Sequence, residues 1–399
     1  MKHEHMISFR LQQVWALCQL VVAYVVVLFY KRKRIWLIAE RGVDARDNGF
    51  RLFEYMRNAH QDIECYYIIS SDSPDKAKLS PYATHVLSYR SFAHYVMLWR
   101  ASVLISTHVQ GYFPFVGLGM WFRKICPFYN AKCHVNVKHG ITKDHMAFLD
   151  YSNTRLDMIV AGLTPEYEYF QTAYQYPSEV VRLTGFCRFD QLVNTSKGHQ
   201  ILLMPTWREW LYKAKEFYES EYVRTYVSLL NSPRLQKVLE QYNMDLVFYP
   251  HHEVQKHIEY FKQNCKGKHI IIADKGHYDV QQLLKESDLL VTDYSSVYFD
   301  FAYMRKPIIY YLFDYDQYRR EHYAEGWYDY NNGLGVTSLS EDECIAQIET
   351  ALKAGCVMPD EYKQRADEWF PYRDQNNCQR VYEAICQAET NKRKGCESC

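Results

Sequence analysis

From residue 35 onward, short apolar or β-branched runs alternate with stretches in which apolar residues recur every three or four positions. The runs IWLIA (35–39), CYYIIS (65–70), SVLIS (102–106), HVNV (134–137), DMIVA (157–161) and VRLT (181–184) read as strands, each bounded by polar residues or glycine. A second series follows in ILLM (201–204), DLVFY (245–249), HIIIA (269–273), DLLVT (288–292) and PIIYY (307–311). Between the runs, FRLFEYMRNAH, SLLNSPRLQKVLEQY and VQQLLKES carry helical spacing. Strands with no alternating polar face are covered on both sides, so the pattern predicts an α/β fold of parallel sheets sandwiched by helices. The polar, turn-prone segment NTSKGHQ (194–200) separates the two series. Two doubly wound, Rossmann-like domains are expected, residues 35–195 and 196–390, with a cleft between them, closing helices in the second and a tail over 391–399.

The N-terminal pattern differs. Val14 to Tyr30 carries no charge, and KRKR (31–34) follows at once. That length sits at the lower edge of what spans a bilayer, ~17 to 25 residues. The basic cluster favours the cytoplasmic side. Residues 1–34 are therefore expected to form an apolar membrane helix with a basic flank. Gln12, Gln13 and Gln19 dilute the run, and a helix lying on the membrane is the alternative. Either form puts the body of the protein at the cytoplasmic face of the cell membrane.

Composition narrows the classes. A chain of 399 residues exceeds one core, in keeping with two domains. Lys plus Arg and Asp plus Glu both total 47, so no global field draws the chain to nucleic acid. The 12 cysteines form no dense framework and suit reduced thiols. Cys396 and Cys399 make one CxxC pair without a second ligand pair nearby, and Cys126, Cys133 and His134 fall short of a metal site in the same way.

Chemistry collects where strands end. After DLLVT come Thr292, Asp293, Ser295 and Ser296, hydroxyls at the start of a helix where Ser295 or Ser296 can cap and an anion can bind. Asp300, four residues past Ser296, shares its helical face and can accept from a polyol or ribose hydroxyl. Asp293 reads as orienting this loop or a neighbouring histidine. KHGITKDH (138–145) follows HVNV, with His139 as a candidate general base, Gly140 allowing close backbone approach, and Lys138 and Lys143 adding charge. YPHHEV (249–254) puts His251 and His252 after DLVFY, to stabilise phosphate charge. MPTWREW (204–210) offers Thr206, Trp207 and Arg208, and TGFCRFD offers Arg188.

With these pieces in place, the chain resembles the bacterial CDP-glycerol glycerophosphotransferase family, the teichoic-acid polymerases and primases and their capsule-building relatives. AERGVDARDNGFRLFEYM, KHG, TGFCRFD, MPTWRE, the histidine after DLVFY and LLKESDLLVTDYSSVYFDFAYMRKPIIYYLFDYDQY come in family order over roughly residues 35 to 370. The resemblance implies a GT-B type fold and transfer of a polyol phosphate from a CDP-activated donor without a metal cofactor. It implies His139 as the base that deprotonates the acceptor and His251 as the assistant at the transferring phosphate. It also implies a CDP-donor site along Gly140, Ile141, Thr142, Lys143, Arg188, Thr206, Trp207, Pro250, His252, Thr292, Ser295, Ser296 and Asp300. The sequence departs from the family at His252, where a proline is usual.

The expected reaction moves glycerol phosphate from CDP-glycerol to a hydroxyl of a cell-surface glycan, teichoic-acid or lipid-linked acceptor and releases CMP. A CDP-ribitol donor and a GT-B glycosyltransferase using a nucleotide sugar are the alternatives within enzymes. A membrane-tethered, non-catalytic scaffold for a polyol-phosphate polymer is the alternative outside them.

Overall fold

The computed structural model describes residues 2–31, 33–211, 217–322 and 325–397. The chain divides into two compact units. The first comprises residues 1–139, 147–190 and 372–399; the second comprises 140–146 and 191–371.

The first unit is built on seven parallel strands: β1 (Ile35–Ala39), β2 (Glu64–Ile69), β3 (Val86–Ser88), β4 (Val103–Ser106), β5 (Cys133–Asn136), β6 (Met158–Ala161) and β7 (Val181–Leu183). Their order is β3-β2-β1-β4-β5-β6-β7. Every residue of β1, β4, β5 and β6 is buried, as helices on both faces require. The chain steps from β1 outward to β2 and β3, then returns to add β4 on the other side of β1. The β1/β4 boundary is the topological switch point, and ligands of such sheets bind outside the strand carboxyl ends there. The helix Asn377–Glu397 belongs to this unit rather than to the second, where the sequence pattern had suggested closing helices. Its Glu389 accepts from Arg34 Nε (2.9 Å) and Ser102 Oγ (2.7 Å), and its Lys392 pairs with Asp157 (2.8 Å).

The second unit carries six parallel strands: β8 (Gln200–Met204), β9 (Asp245–Phe248), β10 (Ile270–Ile272), β11 (Leu289–Thr292), β12 (Ile308–Tyr311) and β13 (Val336–Ser338). Their order is β10-β9-β8-β11-β12-β13, with the switch point between β8 and β11. Ile201, Leu203, Leu246, Phe248, Leu289 and Val291 meet the helices Glu221–Asn231, Pro233–Tyr242 and Glu341–Lys353 in one core. Ser220, Ser232 and Ser340 each cap the helix that follows, their hydroxyls accepting an amide of its first turn. The α/β class with two parallel sheets is as the apolar pattern predicts.

The apolar membrane helix is not. Among the described residues no helix is long and apolar enough to cross a membrane. The N-terminal helix runs Lys2–Val27, so only Val14–Val27 of the uncharged run is helical. That part is about 21 Å long at ~1.5 Å per residue, short of a ~30 Å hydrocarbon core. One face packs into the first unit: Ala16, Leu20 and Ala23 are buried in a cluster with Tyr95 and Leu98, and Trp99 Nε1 donates to the Leu20 carbonyl (2.8 Å).

Candidate active site

In the first unit the site grows from the carboxyl ends of β1 and β5. Buried Glu40, just past β1, accepts from the backbone N–H groups of Asp47 (2.8 Å) and Phe50 (3.1 Å), satisfying amides at the start of the helix Asn48–Ala59. Burial, reinforced by the charge of Asp47, pushes the Glu40 carboxyl up to about 7. Asp47 is thereby aimed at His139, three residues past β5: its Oδ2 meets His139 Nδ1, and its Oδ1 accepts from Arg188 Nη1 (3.1 Å). Burial works against the Asp47 carboxylate, but His139 and Arg188 together hold its pKa below the usual range.

Asn48 finishes the frame. Its amide donates to the Lys138 carbonyl (2.8 Å) and its oxygen accepts from the Arg188 backbone N–H (3.0 Å). Lys138 takes a left-handed backbone, φ +61°, which costs a non-glycine residue about 1 kcal/mol and turns His139 out of the strand direction. Asn136 Oδ1 fixes that bend by accepting from Lys138 N (2.7 Å). The His139 side chain is 70 % exposed, and the adjacent Asp47 carboxylate raises its pKa above the ordinary imidazole value, softened by solvent. With Nδ1 held by Asp47, Nε2 is the nitrogen left to take a proton. This is the geometry a general base needs.

In the second unit the site lies at the β8/β11 switch. Arg208, 1 % exposed, links both loops: it donates to the Thr206 carbonyl (2.8 Å), Asp293 (2.9 Å) and, through two nitrogens, Asp314 (2.6 and 3.0 Å). Asp293 also accepts from Thr206 N (2.8 Å) and Tyr226 Oη (3.2 Å), so it orients the loop through Arg208 rather than through a histidine. The Thr292 hydroxyl donates to the Met204 carbonyl (2.6 Å), tying β11 to β8, which gives it a structural bond rather than one to a donor. Thr206 Oγ1 is buried and, among the described residues, has no hydrogen-bond partner. Ser296 precedes the seven-residue helix Val297–Tyr303 with φ −64°, and its side chain makes no capping bond, against the expectation of a serine cap. Ser295 is half-buried, and Asp300 is buried in the helix's first turn.

The segment 140–146 folds into this second unit. A Cβ on Gly140 would stand 3.1 Å from Ser296 Oγ, so the glycine allows the close approach. Trp327 Nε1 donates to the Thr142 carbonyl (2.8 Å), Trp327 N to the Lys143 carbonyl (3.1 Å), and Arg319 pairs with Asp144 (2.8 Å). Ile141 and Lys143 are buried, and Lys143 pairs with Asp144, so its charge is already answered within the loop. Burial, partly countered by Asp144, holds the Lys143 pKa below the ordinary lysine value.

After β9, Pro250 is buried and His251 is half-buried with its ring stacked on Trp207, centroids 6.2 Å apart. His251 Nδ1 accepts from Glu253 N (3.3 Å), so the neutral ring carries its proton on Nε2 as a donor. His252 is more exposed, with Nε2 at 3.3 Å from Glu253. Of the two histidines, His251 is the one packed at the strand ends beside Trp207.

The residues expected from the sequence thus fall into two groups. His139 and Arg188 lie in the first unit; Gly140–Lys143, Thr206, Trp207, Pro250, His251, His252, Thr292, Ser295, Ser296 and Asp300 lie in the second. Arg188, expected at the donor, is bound to Asp47 and the His139 carbonyl (2.7 Å). Asp47, Asn48, Glu40 and the scaffold role of Arg208 were not foreseen. Among the described residues no group of three His, Cys, Asp or Glu side chains is gathered for a metal. His134 is a core histidine between Tyr112 Oη (2.7 Å) and the Tyr129 carbonyl (2.9 Å). The Cys396 side chain and Cys399 lie outside the described residues.

The chain is 33% identical over 393 residues to the minor teichoic acid biosynthesis protein GgaB of Bacillus subtilis, covering 94% of this chain and 42% of GgaB. It therefore spans less than half the length of that relative. It is 25% identical over 303 residues to a teichoic acid poly(glycerol phosphate) polymerase of Bacillus spizizenii, covering 68% of this chain and 72% of the polymerase. The wall teichoic acid polymerase TagF shares the fold, with a TM-score of 0.68 at 15% identity over 98% of this chain and 97% of the TagF chain. The model of the CDP-glycerol:poly(glycerophosphate) glycerophosphotransferase family matches residues 20–387, and the chain belongs to that family.

Proposed function

We propose that the protein transfers a polyol phosphate, glycerol phosphate before others, from a CDP-polyol to a hydroxyl of a teichoic-acid, glycan or lipid-linked acceptor, releasing CMP. The observation that carries this reading is His139 held through Nδ1 by Asp47 with its side chain exposed, in a chain of this family. The acceptor O–H gives its proton to His139 Nε2 as its oxygen bonds to the polyol-bearing phosphorus. The bond from that phosphorus to CMP breaks in line, and CMP leaves with the electron pair. His251 Nε2–H and the hydroxyls of Thr206, Ser295 and Ser296 donate to phosphate oxygens, and Trp207 offers a stacking face to the base.

The test is CMP release from CDP-glycerol, CDP-ribitol and a panel of nucleotide sugars. Turnover with a CDP-polyol is expected; turnover with a sugar nucleotide alone overturns the reading. In the same assay Thr206→Val, which removes a hydroxyl with no protein partner, should raise the donor KM about tenfold without lowering thermal stability.

The acceptor chemistry favours a site at the cytoplasmic membrane face, and the N-terminal helix supports it. Trp15, Val22 and Val25 on its outer face, with Phe29 beyond its end, are all about half or more exposed. Trp121, Ile125 and Phe128 extend the apolar area, Phe128 lying against Tyr24 at 5.5 Å. Exposed Arg10 and Lys31 flank the stripe, matching an anionic leaflet. The helix lies in the interface rather than crossing it. Co-sedimentation with phosphatidylglycerol vesicles should fall at least fivefold in W15E/V22E; unchanged binding excludes this face.

A further inference from the structure

Resting on the polyol-phosphate reading, we infer that His108 is a ligand of the acceptor polyol, binding the hydroxyl next to the one that attacks. His108 follows β4, Arg41 follows β1 and His139 follows β5, so the β1/β4 switch point and the base share one edge of the first unit's sheet. The His108 and His139 rings are 5.2 Å apart between centroids and inclined by 31°, a spacing that adjacent hydroxyls of one polyol can bridge.

The ring is held rather than free to swing. Thr107 Oγ1 lies 2.9 Å from His108 Nδ1, and Ser106 Oγ accepts from His108 N (3.1 Å) while donating to the Glu40 carbonyl (2.9 Å). The turn closes with Gly111 N donating to the His108 carbonyl (3.3 Å). A Cβ at Gly111 would come within 2.0 Å of the Glu40 carbonyl oxygen, so the turn is pressed against the end of β1. With Nδ1 engaged by Thr107, Nε2 is the nitrogen that faces a ligand. Whichever tautomer is present, a hydroxyl answers it, because a hydroxyl both donates and accepts. Burial, followed by the neighbouring His139 and Arg41 charges, holds the His108 pKa down at about 4, so it does not compete with His139 for the transferred proton.

The experiment compares two synthetic acceptors, one ending in glycerol phosphate and one ending in propane-1,3-diol phosphate, which keeps the attacking hydroxyl and lacks its neighbour. Wild type should show an acceptor KM about tenfold higher for the deoxy end. His108→Phe, which keeps a ring beside His139, should raise the KM about tenfold for the natural end, gain no further penalty from the deoxy end, and leave the donor KM within twofold. His108→Asn, which keeps a polar nitrogen, should recover part of the loss. Equal KM for both acceptors in wild type overturns the inference without recourse to any variant, as does a His108→Phe enzyme that still discriminates between them. Absence of CMP release from every CDP-polyol in wild type is the separate outcome that overturns the reaction itself.

Discussion

His139→Ala should lower kcat for CMP release about 10³-fold while the donor KM stays within a few fold, the loss typical of a general base removed from its place. Asp47→Asn should approach the same loss, about 10²-fold. An asparagine amide can donate to Nδ1, which moves the imidazole proton to Nε2 and leaves no lone pair for the acceptor. The pH profile separates the two causes. Asp47 raises the His139 pKa, and the basic form exists only above that value, so the acid limb of kcat in wild type lies above the ordinary imidazole range. In D47N the residual activity should carry its acid limb at lower pH. Stability moves the other way. A histidine whose folded pKa is raised contributes stability that is complete below the unfolded value, near 6.5, and is lost as pH rises through the folded value. An unmoved acid limb in D47N would mean that Asp47 does not act on the titrating group.

Arg208→Leu should destabilise the protein by about 3–5 kcal/mol, the effect of removing one partner from buried charges. The guanidinium is the shared partner of Asp293 and Asp314, and its plane lies among the rings of Tyr222 (5.2 Å) and Tyr294 (4.9 Å). Taking it away leaves two buried carboxylates and removes the link between the Thr206 carbonyl and Asp314, while Asp293 still holds the Thr206 amide. Urea unfolding gives the magnitude. Adding Asp293→Asn and Asp314→Asn to R208L should recover a large part of the loss; no recovery would show that packing of the arginine stem, not its charge, was responsible.

The eleven runs expected as strands all contain strands, most of them because they are apolar runs that parallel packing buries on both faces, while β7 and β10 are partly buried edges whose β-branched residues mark them. The two strands with no forecast, Val86–Ser88 and Val336–Ser338, are three-residue edges, half-buried and too short to carry a period. The strand-end rule picks out His139, Thr206 and His251, and the structure places each just past a strand's carboxyl end. The same rule applied to SVLIS reaches His108, two residues past the strand. Asp47 was beyond local reading: it stands 92 residues from His139 and 141 from Arg188. Arg208 likewise finds Asp314 at a distance of 106 residues, so a guanidinium expected at the cleft is interior. The membrane helix failed for another reason. Its uncharged run was counted along the sequence, whereas the helix ends at Val27 and its alanines pack on the first unit.

Each unit anchors its site with a buried aspartate–arginine pair, Asp47 with Arg188 in one and Asp293 with Arg208 in the other. Charged groups lose hydration free energy on heating, so the cost of keeping such pairs out of water falls with temperature while apolar contributions level off. The loops that carry the two sites should therefore be among the last parts of each unit to loosen as the protein warms.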